Sequence, residues 1–195
     1  MVFLFGYIPN RSHTIKSVAK WTSPISQSTL FPNMKSFAQQ TNYWCGPASL
    51  QYVAHTFGIA LSQKKAADIT NTLKTNGADP SGMIQGAKTL NLRVRTVSQD
   101  APSVILQKLN RAVKRGDQVI VDYLSGPNIK NDGHYSVFKK AEGDTITLWD
   151  PTYAKNRTMK RQTFVDSWKD VTRGGHTFKR WAMIVGKPPE SLSKK

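Results

Sequence analysis

Near Gly116 the hydrophobic pattern of this chain changes its period, and that switch limits the fold more than any other feature. Before it, apolar residues recur at helical spacing; after it, they alternate or gather in short blocks typical of strands. In CGPASLQYVAHTF, residues 45–57, Leu50, Val53, Ala54 and Phe57 share one helical face; Pro47 suits the first turn and Gly58 the C′ position. Ser62 caps a second helix, about 63–74, that turns Ala66, Ala67, Ile69 and Leu73 toward the core. Pro80 and Ser81 open a third near 82–90, Arg93–Ser98 alternates as a strand, and Pro102 begins a helix to about Arg115 that buries Val104, Ile105, Leu109 and Val113. Beyond Gly116, QVIVDYL (118–124), GHYSVFK (133–139) and TITLW (145–149) read as strands, the last two joined tightly through Glu142-Gly143-Asp144. A short helix over Thr163–Val171, with Phe164 and Trp168 one turn apart, precedes a final strand, RWAMIV (180–185). Helices first and a mostly antiparallel sheet afterwards predict an α+β fold with one core between the halves.

At 195 residues the chain suits one domain, and no apolar run approaches the roughly 20 residues of a membrane span. Residues 1–36 read as an N-terminal extended arm, 37–187 as the domain and 188–195 as a flexible tail. One cysteine, Cys45, excludes an internal disulfide framework and a cysteine-based zinc cluster. Four histidines leave little for a metal site, no phosphate-binding loop motif is present, and no cofactor is implied. Lys and Arg number 28 against 12 Asp and Glu, a formal net charge of +16. Such a surface attracts polyanions or acidic protein. The basic residues are spread along the chain without a basic-aromatic motif, so the expected partner is a protein or peptide, acidic in character, rather than a specific nucleic acid. The high isoelectric point and the short apolar start, MVFLFGYI, favour export over the cytoplasm.

The chemistry gathers in QQTNYWCGPA, residues 39–48. Its cysteine opens a predicted helix, where unpaired N–H groups and the positive dipole end stabilise a thiolate. Gly46 permits close approach of another chain segment or a substrate. Gln39, six residues upstream, carries an amide able to donate to a developing oxyanion. His134 follows Gly133 at the start of one strand and Asp150 closes the next. A Cys–His pair needs a third group to hold one imidazole tautomer, and a carboxylate on a neighbouring strand supplies it. A lone cysteine is ordinarily a small core residue, but that reading does not explain this company.

The ordered set Q-x(5)-C-G-P-A, then G-H-Y, then D-P resembles the stand-alone members of the bacteriocin-processing (double-glycine leader) peptidase family, in the papain-like cysteine peptidase clan. The resemblance spans about residues 37–187. It implies a papain-like cysteine peptidase fold, with Cys45 as nucleophile, His134 as general base and acid, Asp150 orienting His134, and Gln39 as oxyanion donor beside the backbone N–H of Cys45. Trp44 stands where exporter-type members usually carry Asp, and the membrane spans and ATPase of those members do not follow here.

Each role has a rival. Gln40 competes with Gln39, and Asp132, a turn residue in Asn131-Asp132-Gly133, competes with Asp150, whose own plainer reading is a turn before Pro151. His55 reads as structural near a helix end, His176 as a surface loop residue, and His13 lies in the arm. Trp44, Tyr135 and Trp149 either wall the site or pack the core. The leading function is a cysteine peptidase cutting a peptide or isopeptide bond through a thioester. The alternatives are an acyltransferase on the same fold and an inactive module that binds an acidic partner.

Overall fold

The computed structural model describes residues 37–125, 133–171 and 177–187, all within one compact unit, Pro32–Lys195. The arm, the tail, His13, Asp132 and His176 lie outside the described residues.

Among the described residues, five helices and eight strands follow in order: α1 Cys45–Thr56, α2 Gln63–Ile69, α3 Pro80–Thr89, β1 Arg93–Val97, α4 Pro102–Lys114, β2 Gln118–Leu124, β3 Gly133–Glu142, β4 Thr145–Asp150, β5 Lys155–Lys160, α5 Arg161–Ser167, β6 Lys169–Val171, β7 Thr177–Lys179 and β8 Ala182–Gly186. Local chemistry sets the helix limits. The α1 helix closes where Phe57 and Gly58 donate to Ala54 and His55, with Gly58 at φ +80°. The Ser62 side chain accepts from Lys65 N to start α2, and Asp79, followed by Pro80, starts α3.

Three expectations need correction. The second helix stops at Ile69 rather than running to about 74. Thr70 Oγ1 bonds back to the Ala66 carbonyl at 2.8 Å and Asn71 takes φ +50°, which leaves Leu73 43% exposed instead of in the core. On α4 the inward stripe is Ile105, Leu106, Leu109 and Ala112, so Val104 is 43% exposed. The helix expected over 163–171 is α5, Arg161–Ser167. Beyond it the Trp168 indole donates to the Trp181 carbonyl at 2.8 Å, and Lys169–Val171 leaves to pair with β7.

A six-stranded sheet, ordered β1-β8-β2-β3-β4-β5, is antiparallel throughout. One face carries Val119, Phe138, Leu148 and Ile184 against Ile105 and Leu109 of α4 and Phe164 of α5. The other receives α1, whose Tyr52 stacks on the fully buried Trp149 at 4.2 Å between ring centres. This is the α+β fold expected. No helix among the described residues is long and apolar enough to cross a membrane.

Gly46 fixes how closely α1 approaches the sheet. A Cβ there would meet Ala78 Cβ at 2.9 Å, Met83 Sδ at 3.0 Å and the Tyr135 ring at 3.2 Å. Of the two uses open to this glycine, the neighbouring chain fills the space. The start of α1 is thereby pressed against the first residues of β3, where His134 stands.

Candidate active site

Cys45 is the first residue of α1, and the residue before it, Trp44, contributes no side-chain cap. The start of α1 therefore receives no capping oxygen from that residue. The backbone N–H groups of Gly46 and, from β3, Tyr135 lie near the sulfur and favour its thiolate. Antiparallel pairing sets Gly133 opposite Leu124 and His134 opposite Tyr123, at the end of the sheet that α1 reaches. The Tyr123 ring meets the His134 ring edge-on at 5.7 Å and fixes its plane.

The imidazole Nε2 lies 3.0 Å from Asp150 Oδ1, and the ring is close enough to the Cys45 sulfur for the two to stabilise each other's charged forms. Cys45 is 9% exposed, His134 8% and Asp150 2%, so all three are buried and the aspartate most deeply. Burial pushes the Cys45 thiol up, but the hydrogen bond and charge of His134 with the two N–H donors bring it below its usual 9.0. Burial pulls His134 down, yet Asp150 and Cys45 more than reverse this and raise it to about 10. Burial likewise raises Asp150, and His134, Arg157 and Thr152 N–H overcome it, holding the carboxyl at about 2. All three shifts favour a thiolate–imidazolium pair beside an ionised Asp150 carboxylate.

Arg157 was not legible as part of this site. It lies on β5, and its Nη1 donates to Asp150 Oδ2 at 2.9 Å while Thr152 N donates to Oδ1 at 2.9 Å. Its guanidinium lies over the Tyr153 ring at 4.9 Å. The segment KNRTMK has no apolar period, and one arginine among 28 basic residues gives no signal. Substituting Arg157→Gln should lower kcat/KM about 10- to 100-fold, the effect of losing one charged hydrogen bond of roughly 1.5–3 kcal/mol. The acid limb of the pH–rate profile should move to higher pH as Asp150 becomes easier to protonate, and Arg157→Lys should restore part of both. A fall in thermal stability with an unmoved limb would make Arg157 a packing residue only.

Gln39 lies against the same loop. Its N–H donates to the Pro151 carbonyl at 2.9 Å, Thr152 Oγ1 donates to its Oε1 at 3.3 Å, and its Nε2 donates to the Thr41 carbonyl at 2.9 Å. A primary amide has two N–H bonds, so one of them orients the group and a second remains to donate. Gln40 is exposed and engages by its backbone N–H, which donates to Gln63 Oε1 at 2.9 Å. Gln63, 1% exposed, also donates to the Ala38 carbonyl at 2.8 Å and so pins the segment that presents Gln39. Asp150 fits both of its readings: Oδ1 caps the turn through Thr152 and also takes the imidazole. His55 is structural, accepting from Leu61 N and meeting the Phe37 ring at 4.9 Å. Tyr135 bonds the Ala78 carbonyl and Trp149 is core, whereas Trp44 and Tyr43 line a cleft of about 490 Å³ with Lys64 and Asp68 of α2.

A cysteine at a helix start, paired with a histidine and an aspartate on adjacent antiparallel strands, defines the class: a papain-like α+β scaffold with a thiol site. The chain belongs to the peptidase C39-like family, whose model matches residues 31–176. Its fold is similar to the peptidase domain of Streptococcus ComA, a bifunctional ABC transporter involved in a quorum-sensing pathway. The TM-score there is 0.58 at 20% identity, over 77% of this chain and 96% of that one. It is also similar to a double-glycine motif protease from an AMS/PCAT transporter in complex with its leader peptide, with TM-score 0.57 and 16% identity over 78% and 89%. The peptidase domain of Streptococcus mutans ComA gives 0.52 and 19% over 78% and 98%. A comparison with curated protein sequences finds no significant match.

Proposed function

We propose that the protein is a cysteine peptidase acting on peptide or isopeptide bonds through Cys45, His134 and Asp150. The observation that carries this reading is the imidazole of His134 held at 3.0 Å by the buried carboxylate of Asp150, beside a cysteine that opens a helix and is electrostatically coupled to the ring. The Cys45 thiolate attacks the amide carbonyl carbon. The resulting oxyanion receives the backbone N–H of Cys45 and the second amide N–H of Gln39. As the C–N bond breaks, the His134 imidazolium gives its proton to the departing amine and a thioester remains. Neutral His134 then takes a proton from water, whose oxygen attacks the thioester; the carboxylate product leaves and the thiolate returns. Asp150 keeps Nε2–H as donor throughout, which leaves Nδ1 to face sulfur and substrate. The cleft beside Trp44 is where the polypeptide would lie, and family kinship with a neighbour crystallised on a leader peptide supports a peptide ligand.

Incubation with a peptide library in ¹⁸O-water tests this by mass spectrometry. New C-termini that carry one heavy oxygen are the expected result. Amine adducts in place of ¹⁸O would mean acyl transfer, and an unchanged library would overturn the enzyme reading in favour of a binding module.

A further inference from the structure

Another cleft lies between β1 and α4, on the same face of the sheet as His134 but away from it. It measures about 350 Å³ and is lined by Arg95, Lys108, Arg111 and Arg115 around a floor of Val97 and Ile184. Lys108, Arg111 and Arg115 fall at i, i+3 and i+7, so one face of α4 delivers all three. Opposite them, Arg95 and Val97 project to this face because they pair with Ile184 and Ala182, both members of the α4-facing core.

The charge here is not balanced from within. Asp117 accepts from Arg93 at 3.0 Å, Arg95 at 3.3 Å and Arg115 at 3.4 Å, so three guanidiniums converge on one carboxylate. Lys108 has Asp100 at 2.6 Å, and Arg111 makes no ion pair among the described residues. Asp117 fixes the guanidiniums while leaving most of their fork donors for an external anion. β1 is an edge of the sheet, which offers an extended chain its backbone N–H and C=O groups. The basic rim favours an acidic chain and repels a basic one.

We propose that this groove is an exosite for an acidic, extended polypeptide segment carrying alternating carboxylate and apolar side chains. The proposal deepens the peptidase reading and rests on it for the identity of the segment, a part of the substrate remote from the cut bond. The apolar floor favours peptide over nucleic acid, since no aromatic ring lines the cleft on which a base could stack. The position suits the role. Val97 is level with Ala182, Val121 and Ser136, two residues from His134 along β3 and three strands across. That offset is about 16 Å, within reach of fewer than ten extended residues.

The test uses the full chain and a fluorescent peptide of about eight residues alternating glutamate with valine. Its affinity should fall about tenfold in Arg111→Glu, and steeply between about 50 and 300 mM salt, while a lysine–valine peptide should not bind. Lys108→Glu provides a second variant on the same rim. When the acidic segment is joined through a spacer to a peptide the enzyme cuts, KM should fall in the wild type, with kcat unchanged, and Arg111→Glu should lose that gain. Cutting of the segment-free peptide should be equal in both. Undiminished binding in both variants, or a single-stranded oligonucleotide that outcompetes the peptide at this groove, overturns the exosite. Groove-dependent peptide binding without cleavage of any peptide supports the exosite and defeats the peptidase reading.

Discussion

Cys45→Ala should abolish peptide cleavage, with kcat falling about 10⁶-fold, while the protein stays folded. The size follows from chemistry: without sulfur no thioester forms, and the remaining oxyanion donors act only on a bound substrate and water. The tolerance follows from packing. Cys45 is small and sits at the first position of a helix, where alanine fits. Far-ultraviolet circular dichroism and a melting curve should match the wild type closely, and peptide binding at the basic groove should survive. Retained turnover would require another nucleophile and would dismiss Cys45 from the role.

Asp150→Asn should lower kcat about 10⁴-fold, because the exchange replaces an acceptor with a donor where only acceptors fit. Oδ1 accepts from the His134 ring and from Thr152 N, and Oδ2 accepts from Arg157. Either orientation of an asparagine amide turns its NH₂ against one of these donors. The imidazole would lose the partner that fixes its tautomer. Stability should change with a defined sign. The folded carboxyl titrates at about 2 instead of 3.8, so its contribution is present above about pH 4 and is lost as pH falls through 2. His134, raised from 6.5 to about 10, contributes fully below 6.5 and loses that contribution as pH rises through 10. Thermal melts of the wild type should therefore weaken at both ends, and those of Asp150→Asn should show a flatter acid side. An unaltered kcat with an unaltered acid limb would remove Asp150 from the site.

The sequence announced those parts of the molecule where one local rule acts alone. Pro47, Gly58, Ser62 and Pro80 marked helix starts and stops because capping is local, and QVIVDYL and TITLW marked buried strands because burial on both faces demands continuous apolar blocks. β5 escaped notice because it is an edge, exposed along almost its whole length, so nothing selects for alternation. The truncation of α2 depends on Thr70 binding back to its own helix and on α3 crossing there, where a Cβ on Gly82 would strike the Thr70 carbonyl. At the candidate site, Cys45, His134 and Asp150 were readable because each marks the start of a helix or the end of a strand. Arg157 and Gln63 were not, since they act through side-chain contacts that no local pattern marks, Arg157 to Asp150 and Gln63 to the backbone of Ala38 and Gln40.

The most direct test of the thiolate–imidazolium pair is the rate of Cys45 alkylation by iodoacetamide as a function of pH, in the wild type and in His134→Ala. The pair requires a rate that in the wild type stays high to a lower pH than in His134→Ala, whose profile becomes that of an ordinary thiol. Identical profiles in the two proteins, both falling below about pH 8, would contradict it.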